Sequence, residues 1–121
     1  MGDNMKLIPY ALSTYTAIYG GVTARLKPFK IYTNEDLWAV GILGHGWVIS
    51  TRIFSVQDIK DYLRDCTEGD TIGIWVNEDK VYMDHVKLVK AKSKAIILAR
   101  QNKQEAIFNL KTKETVFITE G

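Results

Sequence analysis

Apolar runs only a few residues long, each closed by a polar turn, recur from the middle of this chain to its end. Leu37–Leu43 reads LWAVGIL, Trp47–Ile53 reads WVISTRI, and Gly44-His45-Gly46 parts them. That pattern predicts a β-hairpin, because glycine supplies the positive φ of a tight reversal. The same grammar continues downstream, where NEDK, AKSK, NKQ and TKE punctuate apolar runs out to Thr119. The expected fold is α+β and β-rich, made of antiparallel meanders or a small SH3-like or open barrel.

A regular three-residue turn sets the hairpin register. Leu43 then faces Trp47, Gly41 faces Ile49, Ala39 faces Thr51 and Leu37 faces Ile53, on an apolar face turned to the core. The opposite face pairs Trp38 with Arg52, Val40 with Ser50 and Ile42 with Val48. Upstream, residues 1–4 read as a polar lead-in, Lys6–Pro9 as a short strand, and Val22–Leu26 and Phe29–Thr33 as strands around Lys27-Pro28. Residues 10–19 read as a helix, with Ala11, Leu12, Tyr15, Ile18 and Tyr19 at helical spacing between Pro9 and Gly20-Gly21. The strand preference of Thr and Tyr opposes that reading.

The clearest helix spans 55–66. Ser55 and Asp58 form an acidic variant of the capping box, with Ile53 or Phe54 as a staple to Ile59. Val56, Ile59, Leu63 and Cys66 make its buried stripe, Tyr62 lies at the margin, and Thr67-Glu68-Gly69-Asp70 ends it. Five strands are expected after it, over Thr71–Asn77, Val81–Lys90, Ala95–Gln101, Glu105–Lys111 and Thr115–Thr119. The continuous run Ala95–Ala99 reads as a strand covered on both faces.

At 121 residues, with 46% hydrophobic and 25% charged content, one domain over 1–121 is the economical reading. No apolar run nears the roughly 18 residues that cross a bilayer, and no secretory leader opens the chain. A cytoplasmic protein with no membrane partner is expected. Cys66 is the single cysteine, so it offers neither an intrachain disulfide nor a thiolate cage. No cofactor is expected.

Several constellations have chemical readings, each beside a plainer one. Asp70 with Glu78-Asp79-Lys80 has the spacing of a metal-dependent nuclease centre, but Glu78 falls in a turn, where both side chains cannot point one way. Asp58, Asp61 and Asp65 share a helix face, which solvation explains without a cation. His45 and His85 could share acid–base work on a phosphodiester, and otherwise are a turn and a strand residue. Cys66 needs a histidine partner to be a nucleophile.

Charge is uneven although the net is +2. Residues 55–70 are acidic on balance, whereas Lys87, Lys90, Lys92, Lys94, Arg100 and Lys103 make 78–121 basic. These cations either meet a phosphate-bearing partner or guard a sheet edge. The reading that follows is a non-catalytic module for an anionic ligand, a nucleotide-like molecule or nucleic acid, of the kind small phage accessory proteins supply. Its expected site is Trp38, Ser50, Arg52, Lys90, Lys92, Lys94 and Arg100, with the Arg52 guanidinium over the Trp38 indole. A protein–protein module or inhibitor using an apolar sheet face is the alternative, and a phosphodiester-cleaving enzyme using His45 or His85 the second. A homo-oligomer is expected, to cover the second face of the hairpin and the Ala95–Ala99 run.

Overall fold

The computed structural model describes residues 2–67 and 70–118. Its elements are α1 (Gly2–Tyr19), β1 (Gly21–Leu26), β2 (Phe29–Tyr32), β3 (Trp38–Gly41), β4 (Trp47–Ser50), α2 (Val56–Leu63), β5 (Thr71–Asn77), β6 (Lys80–Val89), α3 (Lys92–Gln101), β7 (Ala106–Asn109) and β8 (Thr115–Phe117). The strands form one antiparallel sheet in the order β2-β1-β5-β6-β3-β7-β8, with β4 also paired to β6. The fold is α+β as expected, and its sheet stays open rather than closing into a barrel.

Strand β6 is the spine. Its first half lies between β5 and β4, with Ile74 and Trp47 both opposite Met83. Its second half pairs with β3, from Val86 opposite Gly41 to Val89 opposite Trp38. Side chains alternate between the faces of a strand, and Val81, Met83 and Val89 all point to the face the helices cover. Under α1 and α2 the core is Ile8, Leu12, Val22, Ala24, Leu26, Ile59, Tyr62, Ile72, Ile74, Val81 and Met83. Under α3 it is smaller, with Trp38, Val40, Ala95, Ala99 and Ile107.

The predicted hairpin between Leu37 and Ile53 does not form. β3 and β4 run the same way along one edge of β6, and residues 42–46 stand against only Asp84 and His85. The glycine tripeptide is therefore an enlarged bulge in one interrupted strand. Gly44 holds φ +93, while Leu43 N–H donates to Asn102 Oδ1 and the Tyr62 hydroxyl donates to the His45 carbonyl. Partners from two helical regions hold the segment, which is why it need not reverse. Correspondingly, Trp38 and Val40 turn to the core and Ala39 and Gly41 away from it, the reverse of the predicted facing.

Of the residues read as a polar lead-in, 2–4 belong to α1, as do those read as the strand Lys6–Pro9, and the helix carries Pro9 inside it; Met1 lies outside the described residues. Its buried stripe is Ile8, Leu12 and Thr16, while Ile18 and Tyr19 are exposed. Thr16 tolerates burial because its hydroxyl donates to the Leu12 carbonyl at 2.8 Å. In α2 the expected cap is present, with Ser55 N–H donating to Asp58 Oδ2 at 2.8 Å. That helix stops at Leu63, before Cys66, and Tyr62 is buried rather than marginal. Its proposed terminators Glu68 and Gly69, and Thr119 at the end of the last strand, lie outside the described residues.

Ala95–Gln101 belongs to α3 and not to a strand. Five consecutive apolar residues fit a buried strand or a helix equally. Here Ala and Leu within the run and Lys94, Arg100 and Gln101 beside it, all good helix formers, tip the balance. Ala95 and Ala99 meet the sheet at i, i+4.

Candidate functional site

On the concave side of the sheet, bordered by the last turn of α1, lies a cavity of about 610 Å³. Its floor is hollow because the strands present small residues there: Gly21 and Thr23 from β1, Gly73 from β5, Ala39 and Gly41 from β3, and Ala106 from β7. The glycines allow close approach. A Cβ on Gly41 would stand 2.6 Å from Gln104 Oε1, and one on Gly73 would stand 3.2 Å from Val86 Cγ1. Aromatic rings rim the cavity: Tyr15 and Tyr19 from α1, Tyr32, Trp75 and Phe108. Tyr19 and Trp75 are 71% and 47% exposed, and the Trp75 ring stacks on Tyr82 with centroids 4.8 Å apart.

Two charged side chains line this cavity, Asp84 in the floor and Lys113 at the edge. Burial pushes the Asp84 carboxyl up, against a hydrogen bond from Trp75 and the nearby His85, which pull it down. Gly46 of the bulge closes over Asp84, and a Cβ there would come 2.5 Å from Oδ1. Lys113, at φ +66, donates to the carbonyls of Thr33 and Leu110, so its ammonium is fixed with a third donor to spend.

The predicted site residues do not assemble. Trp38 and Ser50 pair with opposite ends of β6, at Val89 and Lys80. That spacing is roughly 30 Å of strand. Arg52 lies in the turn beyond β4, where its N–H donates to Ser50 Oγ, and it cannot cover the Trp38 indole. Lys92 covers it instead, with Nζ 5.6 Å from the ring centroid, and Trp38 is 7% exposed in the core. Lys90 precedes α3, Lys92 and Lys94 occupy its first turn, and Arg100 lies in its last. These cations lie on α3 or just before it, away from the cavity lining.

On the helix side of β6 a second cluster forms around His85. Cys66 Sγ lies 3.4 Å from His85 Nε2. The His45 ring, carried by the bulge, stacks on His85 at 4.6 Å, and Tyr62 makes a T-shaped contact with His85 at 5.8 Å. Asp70 joins from the residue before β5, its Oδ2 accepting the Thr67 N–H at 2.6 Å. Burial, then Asp70 and Asp65, push the Cys66 thiol up to about 11, the opposite of what a nucleophile requires. The stacked histidine rings leave no room between them for a phosphate with an acid on one side and a base on the other.

The remaining acidic constellations serve local structure. Glu78, at φ +56, turns the chain between β5 and β6, a full strand away from Asp70. Asp58 caps α2, and Asp61 accepts from Gln57 and Arg64. Sequence reasoning missed Asp84, Gln104 and Trp75. The available signal was weak: an acid between Tyr82 and Val86 on alternate positions of a strand. Comparisons with family models, with curated proteins and with solved structures find no match.

Proposed function

We propose that this protein is a non-catalytic binding module whose concave cavity takes a nucleotide-like small molecule, with its planar base inside and its anionic end at the rim. One observation carries the reading: a half-buried carboxyl acceptor lies in the floor of a cavity rimmed by aromatic rings. Its volume of about 610 Å³ falls in the range of small-molecule sites. Asp84 and Gln104 Oε1 offer acceptors to amino and imino donors of a base, and the rings offer it stacking surfaces. An anion does not suit the floor, where it would meet the Asp84 carboxylate. The fixed Lys113 ammonium suits it at the edge.

No described helix is long and apolar enough to cross a membrane, and the free thiol of Cys66 suits a reducing, cytoplasmic setting. The two grounds for a homo-oligomer fall away, since the hairpin face does not exist and Ala95 and Ala99, on α3, are buried against the sheet. The exposed rings of Tyr19 and Trp75 favour a second reading, in which a protein partner covers the same face.

Calorimetric titration with the common nucleosides and their monophosphates tests the first reading. At least one base should bind, and Asp84→Asn should weaken it by about 10- to 100-fold, the worth of hydrogen bonds to a charged group. Absence of heat with every base, beside a complex that survives high salt in sedimentation, would favour the protein partner instead.

A further inference from the structure

We propose that Cys66, Asp70 and His85 form a site for a divalent metal ion that accepts thiolate, Zn²⁺ or Co²⁺, with an open fourth position facing the recess beneath His45. This site lies on the other face of β6 from the concave cavity and is independent of it.

Donor chemistry is the first ground. A thiol and a carboxylate from the α2–β5 connection and an imidazole from β6 place their ligand atoms within 4.8 Å of one another. Sulfur and nitrogen donors of this kind select zinc and its neighbours over the hard cations Mg²⁺ and Ca²⁺. Geometry is the second. With Zn–S at about 2.3 Å and Zn–N at about 2.0–2.1 Å, a tetrahedral centre sets its S···N edge at about 3.6 Å. Cys66 Sγ and His85 Nε2 stand 3.4 Å apart, so that edge is already in place. Bringing Asp70 to the same centre takes about an ångström of side-chain movement, within the reach of its torsions.

The surroundings behave as a second sphere. The Asp70 carboxylate is oriented by the Thr67 N–H. The His85 ring is held between the face of His45 and a T-shaped contact with Tyr62, and Tyr62 itself is anchored to the His45 carbonyl at 2.6 Å. Such contacts fix ring orientation in metal sites. Above the cluster lies a recess of about 410 Å³ lined by His45, Asp70, His85 and Lys87 among others. Three protein donors with one side open is the pattern of an exchangeable site, whereas structural zinc sites close with four.

The test uses the intact, reduced, metal-stripped protein and the metals alone. Co²⁺ should bind at one equivalent and give thiolate-to-cobalt charge-transfer absorption with the intense visible bands of a tetrahedral centre. Zn²⁺ should bleach them by displacement. Cys66→Ser should abolish the charge-transfer band, and His85→Asn and Asp70→Asn should each weaken binding at least tenfold. His45→Ala, which keeps all three donors, should retain the band. Circular dichroism of each variant separates loss of metal from loss of fold. Absence of a charge-transfer band from the wild-type protein, or Zn²⁺ affinity unchanged in folded Cys66→Ser and His85→Asn, would overturn the site. So would loss of the band in folded His45→Ala.

Discussion

The two faces of the central strands differ more than any two segments of the chain. Towards the helices, β5 and β6 present Ile72, Ile74, Val81 and Met83, all fully buried. Towards the other side the same strands present Gly73, Trp75, Tyr82, Asp84 and Val86, and β3 adds Ala39 and Gly41. Adjacent residues thus serve opposite ends. One set fills space under α1 and α2, while the other leaves it open and sets a carboxyl and aromatic rings around the gap. Burial of large aliphatic groups stabilises the fold. The small-residue face contributes little in that way, so its composition is better explained by what it can admit.

The largest contrast should come from truncation. Ile72→Ala on the covered face should lose about 2–5 kcal/mol in denaturant melts, whereas Val48→Ala, at an exposed position of β4, should lose under ~0.5 kcal/mol. Equal losses would mean that the helices do not seal the first face. On the open face, Ala39→Leu puts three carbons into the cavity. Its cost in melts should stay within about 1 kcal/mol, since nothing packs tightly there, but base binding should be lost. Retained affinity would move the ligand elsewhere.

A smaller effect, in pH, belongs to Asp84. Its folded pKa lies above the ordinary 3.8 because of burial, so the folded state holds a proton that the unfolded state has released. Stability then falls as pH rises from the ordinary carboxyl range through the folded pKa, and Asp84→Asn should remove that slope from melting curves. Binding of a donor-bearing base should run the other way and strengthen as the carboxyl ionises. Parallel trends in the two measurements would separate Asp84 from the ligand.

Much of the fold was legible because each strand declares itself locally. Thr71–Asn77 was read with the bounds it has, and the Ser55–Asp58 cap announced α2. What failed depended on partners distant in sequence. Gly44-His45-Gly46 makes a reversal or a bulge equally well until Tyr62 and Asn102 hold it, and Ala95–Ala99 has no strand partner to declare its absence. The candidate cavity was invisible for the same reason. Its floor is made by Gly21, Gly41 and Gly73, from three strands far apart in sequence, and a glycine read alone signals only a turn. Cys66 and His85, close in space at 3.4 Å, lie on either side of β5.

Which face of the sheet meets a ligand separates the concave cavity from the cationic helix as the binding site. Amide chemical-shift mapping of the ¹⁵N-labelled protein, titrated with a nucleoside monophosphate, reads that directly. Shifts confined to Thr23, Gly73, Trp75, Asp84, Gln104 and Phe108, with the Trp75 indole N–H among the largest, are the predicted result. Shifts gathered instead at Arg52 or along Lys90–Lys94, with the Asp84 and Trp75 signals unmoved, would contradict it.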